Sequence, residues 1–451
     1  MQTRRDQLHA YRFMTRRAMS SLVTGEPDAV EPPMRRLTVM TIAGIMVAIV
    51  VAAVFAVIGL LKGGGSDGWQ SEGAVVLEEE TGARYVNIGG SLYPALNYSS
   101  AVLASGAGDE VQVQQVSRSD LASAERGQLI GIAGLPDSMP SSDDLVRGPI
   151  AVCSEPRQEG IVSTAEVVVQ IGPSDTTPVA DGAGLYVESF GGERFLLAGG
   201  RRLPVERSVE AALQIGAQPV RVGSAFLTSI PRGPTFETPT VPSQGDAVQV
   251  SGKSLLVGQV VEVDDGTFRV ALADGLARIS DVQAKLLRTA ELAGRRRDAV
   301  QLPLSQVLGV GEGAGLGDVM AGLPELMPEL PSQSTTAVCA VFAEGEDVPR
   351  MALPPVEEGV SAPAEESRTS KAGGADRVEL APGAGLLAAT PGAKAAYFIG
   401  APGRLYAAAS LQTLAGFGYG EVEPVMVPPE LIEILPRGPA LDPAEARQSA
   451  G

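Results

Sequence analysis

Four features of this 451-residue chain have the residue types that do chemistry: Gly252-Lys253-Ser254, Asp264-Asp265-Gly266, the stretch GVGEGAGLG at 309–317, and the pair Cys153 and Cys339. The first would cradle phosphates if it closed a Walker loop. That loop needs a glycine with four residues between it and the Gly-Lys pair, and the position holds Ala247. The following LLVGQVVEV reads as one strand, where a phosphate loop must open a helix. Asp264-Asp265-Gly266 reads as a turn between strands, with a calcium site as the alternative. The glycine-rich stretch never completes G-x-G-x-x-G, because Ala314 and Leu316 stand at the third-glycine positions, and it reads as a linker. The single histidine, His9, reads as a helix-surface residue near the N-terminus, so the rest of the chain can hold no His-dependent triad or zinc site. The expectation is no catalytic, metal-binding or cofactor-binding residue, no cofactor, and no enzyme.

What the cysteines can do depends on their compartment. Residues 37–61, LTVMTIAGIMVAIVVAAVFAVIGLL, carry no charge. As a helix the run is about 37 Å long, more than the roughly 30 Å hydrocarbon core of a bilayer, so it spans with some tilt. A cleaved signal peptide fits poorly, because the run starts late and no clear A-x-A site follows. Arg35 and Arg36 abut its N-terminal side, whereas Lys62 is soon followed by Asp67, Glu72 and Glu78-Glu79-Glu80. The positive-inside rule puts the N-terminus in the cytoplasm and residues 62–451 outside, with GGGSDG (63–68) as a flexible exit. On that oxidising side a lone pair of cysteines is most simply one disulfide; two buried free thiols are the alternative.

Charge follows the same boundary. Residues 1–36 hold seven arginines against four acids, so the rest of a chain of net charge −18 carries about −21. That surplus, with aromatics at 4%, argues against nucleic acid as a partner. In the N-terminal segment Leu8, Tyr11, Met14, Ala18 and Leu22 mark one helical face, with Arg5, Arg12 and Arg16 on others. Thr3 is positioned to cap the start and Thr24-Gly25 the end. Such a helix either lies on anionic lipid or docks on a partner subunit.

The outer part repeats itself. PVRVGSAFLTSIPRGP (219–234) and PVMVPPELIEILPRGP (424–439) align without a gap, with seven of sixteen positions identical. Upstream lie RFLLAGGRRLPV (194–205) and AYFIGAPGRLYA (396–407), which align Arg202 with Arg404. The unit reads strand, Gly-rich turn, helix, strand, short helix, then a Pro-Arg-Gly-Pro stop whose glycine allows a positive φ. Weaker copies are ARYVNIGGSLYPALNY (83–98), which has only GLPDSMP (134–140) for a stop, and residues 268–308, with a helix over ISDVQAKLLRTAELAG. GPIAVCSE, STAEVVVQIG (148–172) and STTAVCAVFAE (334–344) read as strands of one central sheet that the cysteines pin. The expected division is 1–36 cytoplasmic N-terminal helix segment, 37–61 transmembrane helix, 62–74 linker, 75–146 repeat 1, 147–182 central core, first part, and 183–240 repeat 2. Then come 254–310 repeat 3, 311–352 central core, second part, 353–377 mobile loop, 378–443 repeat 4 and 444–451 tail.

Taken in order, these features resemble EccB, the single-span core membrane component of actinobacterial type VII (ESX) secretion systems. The resemblance rests on QLHAYRFMTRR (7–17), the span after an arginine pair, FLLAGGRRLPV, VPPELIEILPRGPALDP (427–443), and the cysteine pair flanking the inner repeats. It implies an α/β architecture: an elongated periplasmic domain of four small α/β repeats around a disulfide-linked β-sheet. It also implies a structural role in anchoring and organising the export channel, with EccC, EccD and EccE as partners in the inner membrane and self-association of the periplasmic domains. Leu8, Tyr11, Arg12, Phe13, Arg16, Arg17 and Leu22 are then the partner-binding residues. ATPase activity has been proposed for the family, but no motif in this sequence supports it. The alternative function is a membrane-anchored cell-wall-binding protein, with peptidoglycan as ligand; an envelope enzyme ranks third.

Overall fold

The computed structural model describes residues 4–25, 35–62, 66–108, 111–159, 162–330, 337–354 and 373–450. Most of the expected loop 353–377, and part of the linker 62–74, lie outside the described residues. The chain divides into two units, Met1–Gln70 and Ser71–Gly451.

The first unit holds helix α1 (Arg4–Thr24), helix α2 (Arg35–Lys62) and a 3-10 turn, Ser66–Gln70. Gly25 follows α1 with a φ of 73°, the left-handed residue that commonly ends a helix. Helix α2 is apolar on every side, as membrane-spanning helices are. Within it, Thr38–Val57 is long and apolar enough to cross a bilayer, and its side chains are exposed.

The second unit contains four four-stranded sheets with one strand order. In each, a lead strand pairs antiparallel with a middle strand, and the middle strand with an outer strand. A crossover strand then returns parallel to the lead strand. The first sheet uses Val75–Glu78, Arg84–Ile88, Ser91–Pro94 and Val113–Val116, with helix α3 (Tyr98–Ser105) in the crossover. The second uses Leu185–Ser189, Arg194–Ala198, Arg201–Val205 and Val220–Val222, with α4 (Arg207–Glu210) in the crossover and α5 (Ser224–Ser229) after it. The third uses Val260–Val263, Phe268–Leu272, Gly275–Ile279 and Val300–Leu302, with α6 (Asp281–Leu287) and then α7 (Leu304–Val307). The fourth uses Leu386–Ala389, Ala396–Gly400, Arg404–Ala408 and Val425–Met426, followed by α8 (Pro429–Ile434) and α9 (Pro443–Ala446).

Several local readings change. The Arg-Leu segments after the Gly-rich turns are outer strands, not lead-ins to helices. The middle-to-outer turn is Gly199-Gly200 in the second sheet but Ala401-Pro402-Gly403 in the fourth, so Arg404 corresponds to Arg201 rather than Arg202. In the third sheet the helix stops at Leu287 after a capping box from Ser280 and Gln283, and Glu291–Leu292 and Arg295–Arg296 form a small hairpin. LLVGQVVEV breaks into two strands at Gly258, whose φ is 89°. Residues 444–450 are docked: Arg447 Nε donates to Ala104 O at 2.8 Å, and Ser449 bridges to Ile130.

The Pro-Arg-Gly-Pro phrase does more than stop a helix. It runs alongside the outer strand and brackets one residue of it with two backbone hydrogen bonds. Arg202 N donates to Pro231 O (3.0 Å) and Gly233 N to Arg202 O (2.9 Å). In the fourth sheet Leu405 N donates to Pro436 O (2.9 Å) and Gly438 N to Leu405 O (2.8 Å). The same bracket closes on Leu92 from Glu125 O and Gly127 N, and on Leu276 from Gly311 O and Gly313 N. The first sheet's counterpart of the phrase is therefore Glu125-Arg126-Gly127, not GLPDSMP. Gly233 and Gly438 do not have positive φ. They are glycines because a Cβ there would lie 2.5 Å from Leu203 Cδ2 at Gly233 and would run into the Tyr406 ring at Gly438; at Gly127 it would run into the Tyr93 ring.

A six-stranded sheet completes the unit, in the order Arg377–Leu380, Val162–Ile171, Ile150–Glu159, Val338–Phe342, Arg350–Leu353, Thr177–Pro178. Alternation along these strands sends Ile150, Val152, Val167, Val169, Val338 and Ala340 to one face. There they form one core with the second and fourth sheets and with α5 and α8. A second core joins the second sheet to the third, and another joins the first to the fourth.

Tyr406 is fully buried, so its ring cannot swing away from position 438. Gly438→Ala should therefore cost about 1–3 kcal/mol through overpacking, read as a lower denaturant midpoint. Gly216→Ala, where a Cβ meets nothing within 4 Å, is the control and should be near neutral. Equal midpoints for the two variants would contradict the close-approach argument.

Candidate functional site

No group of three or more His, Cys, Asp or Glu that could hold a metal occurs among the described residues. Gly252-Lys253-Ser254 lies on a β-hairpin, Ala247–Val250 with Lys253–Leu256, and Ser251 and Gly252 make its turn with φ of 49° and 77°. No helix starts there to hold phosphate. Asp264-Asp265-Gly266 is the turn between the lead and middle strands of the third sheet. Asp264 Oδ1 accepts from Leu304 N at 2.9 Å, and Asp265 Oδ1 accepts from the Thr267 hydroxyl (2.7 Å) and amide (2.9 Å). Those two bonds, foremost among the causes, hold the Asp265 carboxyl below its usual range. The glycine-rich stretch is not a free linker: Gly311 and Gly313 form the third sheet's bracket, and Ala314 N donates to Asp274 Oδ2 at 2.9 Å.

The two cysteines do come together. Cys153 and Cys339 are register partners on adjacent antiparallel strands and are joined by a disulfide across 186 residues of sequence. Both side chains are buried with Ala151 and Ala352, on the face opposite the large core. The sheet is thus held by apolar burial on one face and by a covalent bond on the other. Around it, Ser154 Oγ accepts from Gly223 N at 3.0 Å, and Asp376 Oδ2 accepts from Val167 N at 2.7 Å. Those bonds tie the second sheet and the strand Arg377–Leu380 to the centre.

Leu8, Tyr11, Arg12, Phe13, Arg16, Arg17 and Leu22 all lie on α1, with His9. Tyr11, Phe13 and Leu22 are 73%, 64% and 85% exposed, more than large apolar side chains normally are. Phe13 lies off the Leu8–Tyr11–Leu22 stripe, so α1 exposes apolar groups on more than one side.

Two charged clusters were not visible in the sequence. Arg194 bonds Glu188 at 3.2 Å and Glu210 at 2.5 Å; Arg221 and Arg207 approach Glu188 at 3.9 and 4.0 Å. Beside them burial pushes the Tyr186 hydroxyl up to about 12. In the first sheet burial works to raise the buried Glu78 carboxyl, but bonds from Thr81, Tyr85 and Arg118 hold it below its usual range. A depressed carboxyl stabilises at neutral pH, and its contribution is lost as pH falls through its folded-state value. Strand register creates both clusters, and only an expected pairing such as Glu188 opposite Arg194 could have foretold them.

Removing the disulfide should destabilise the outer unit. Closing 186 residues is worth about 5 kcal/mol in the chain-entropy model. Cys153→Ser with Cys339→Ser should lower the unfolding free energy by most of that amount, read as a lower denaturant midpoint, and reductant should move the wild type to the same midpoint. An unchanged midpoint would contradict it.

The family model described as "Type VII secretion system ESX-1, transport TM domain B" matches residues 1–451. The ESX-5 secretion system ATPase EccB5 of Mycobacterium tuberculosis H37Rv is 28% identical, over 65% of this chain and 60% of that protein. The chain thus spans about 60% of the length of that curated relative. The ESX-3 secretion system ATPase EccB3 of Mycolicibacterium smegmatis is 26% identical over 98% of this chain and 90% of its own length. Among solved structures, a chain of an intact ESX-5 inner membrane complex matches with a TM-score of 0.65 at 22% identity, covering 100% of this chain and 96% of that one. An EccB3 dimer from the ESX-3 core complex matches with a TM-score of 0.63 at 25% identity, covering 83% of this chain and 99% of its own.

Proposed function

The chain belongs to the EccB family of type VII secretion systems, and from that premise we propose that it is a structural, single-span subunit of an ESX inner membrane complex that exports protein. The observation that carries the reading is the family match over all 451 residues, because it takes in α1, the apolar α2 and the disulfide-linked outer unit together. Arg35 and Arg36 at the start of α2 support a cytoplasmic N-terminus and a periplasmic bulk. The partners are other membrane subunits of the complex (EccC, EccD, EccE, by the family resemblance) and further copies of this chain; structural relatives found in an ESX-5 inner membrane complex and in an EccB3 dimer support membrane subunits and copies as the partner classes. The four sheets are duplicated modules around the disulfide-linked sheet; their common strand order and repeated bracket support this.

The relatives carry "ATPase" in their names. Nucleotide hydrolysis is not part of the proposed function, because the chain's Gly-Lys-Ser turns a hairpin and no Walker loop precedes it. The outer unit sets the geometry of the assembly, and α1 ties the subunit to its partners. Helices in proteins gain most of their stability by packing an apolar face rather than from propensity.

Tyr11→Asp with Leu22→Asp puts carboxylates on the docking face, where each costs several kcal/mol to desolvate. The double variant should insert in the membrane with a folded outer unit, yet be missing from the large complex on native gels, with export lost. Normal assembly and export would show that α1 only rests on lipid.

A further inference from the structure

Each repeated sheet has two edges. The bracket closes the outer strand, and the crossover strand forms the other edge. An edge strand offers unpaired N–H and C=O groups to any extended chain, and proteins guard it with proline, charge or a covering element. Three of the four crossover edges are guarded in this way. In the second sheet Pro219 precedes the strand, Arg221 lies on it, and Gly223 N donates to Ser154 Oγ of the central sheet at 3.0 Å. In the third, Pro303 follows the strand, and Lys253 Nζ of the hairpin 247–256 reaches Gln301 O at 3.5 Å. In the fourth, Pro424 and Pro428 enclose it, and Arg147 Nη1 donates to Glu423 O at 3.0 Å.

The first sheet's crossover edge is open. Residues 111–116, VQVQQV, contain neither proline nor charge. Among the described residues no strand or isolated bridge pairs with the outer side of Val113–Val116. Val75 N donates to Gln112 O (3.0 Å) and Glu79 N to Val116 O (3.1 Å), so the even-numbered residues turn their backbone groups toward the lead strand. Alternation turns those of Val111, Val113 and Gln115 toward the open edge. Val113 is 45% exposed, and Gln112 and Gln115 are exposed beside it.

We propose that this edge docks the same strand of a second copy of this chain, antiparallel and with Val113 on the twofold axis. The proposal rests on the reading of the chain as a self-associating subunit. In that register the strand is its own complement. Val113 stands opposite its own copy, Gln112 opposite Gln114, and Val111 opposite Gln115. Outward-facing backbone meets outward-facing backbone at every odd position, so the two edges exchange hydrogen bonds. The Gln112 and Gln114 amides meet across the pair, and no like charges are set opposite one another, where they would repel. A twofold contact requires a patch to be self-complementary, and this one continues the first sheet from one copy into the next by strand addition.

The test uses the full chain in mild detergent, with self-association followed by mass photometry. Val113→Lys sets like charges on the axis and should weaken copy-to-copy affinity about tenfold or more, and less so at high salt, where exposed charges are screened. Val113→Glu should do the same. An equimolar mixture of the two variants should regain the affinity, because Lys then meets Glu. Both should keep a thermal midpoint near that of the wild type, since the altered side chain is only half-buried. The regained affinity separates a lost contact from a lost fold. Wild-type affinity in either variant alone, a mixture that stays apart, or a wild type monomeric at every concentration would overturn the proposal. So would a Val113→Lys chain that still self-associates but loses another membrane subunit, because the edge would then serve a different protein. Co-purification of the wild type with other membrane subunits tests the subunit reading separately. If the wild type fails to co-purify, that reading is what has failed.

Discussion

The pairing of Ile150–Ser154 with Val338–Phe342 is the contact on which the outer unit depends. It joins segments 186 residues apart, so the closure entropy of nearly half the chain opposes it. Two interactions answer that cost. Alternate residues of both strands enter the core shared with the second and fourth sheets. The intervening positions hold the disulfide on the other face. Without this pairing the second and fourth sheets lose the surface on which they pack.

Outward from that centre, each sheet reuses one local solution. The lead, middle and outer strands form a meander, and a crossover returns to the lead strand. The outer edge, which would otherwise present unpaired backbone groups, is closed by the bracket of two hydrogen bonds. The bracket segment lies so close to the outer strand that glycine is required wherever a large side chain passes beneath it, as at Tyr93, Leu203 and Tyr406. In the third sheet the corresponding outer-strand residue is the small Ala277, and the approach at Gly313 is looser.

Much of this was legible in the sequence, for identifiable reasons. The membrane helix followed from an uncharged run, and the central strands from short β-branched segments carrying the cysteines. The duplicated phrase marked the second and fourth sheets because Pro, Arg and Gly were kept at fixed spacing. The first sheet's counterpart was missed because Glu125-Arg126-Gly127 keeps only the arginine and glycine; what defines the phrase is backbone hydrogen bonding, which needs no proline. The positive-φ reading of Gly233 and Gly438 failed because their constraint is a neighbour across the sheet, invisible in local sequence. The Glu188–Arg194 pair depends on register, which a one-residue difference in a turn shifts, as the fourth sheet shows.

The central claim is that the disulfide-linked sheet is the last part of the outer unit to open. Native-state hydrogen exchange read by mass spectrometry tests it most directly, because protected segments report the hierarchy of opening. Peptides covering Ile150–Ser154 and Val338–Phe342 should exchange slowest, together with α5 and α8. The first and third sheets should open earlier and independently. Early exchange of the central strands, with the first and third sheets still protected, would contradict the account.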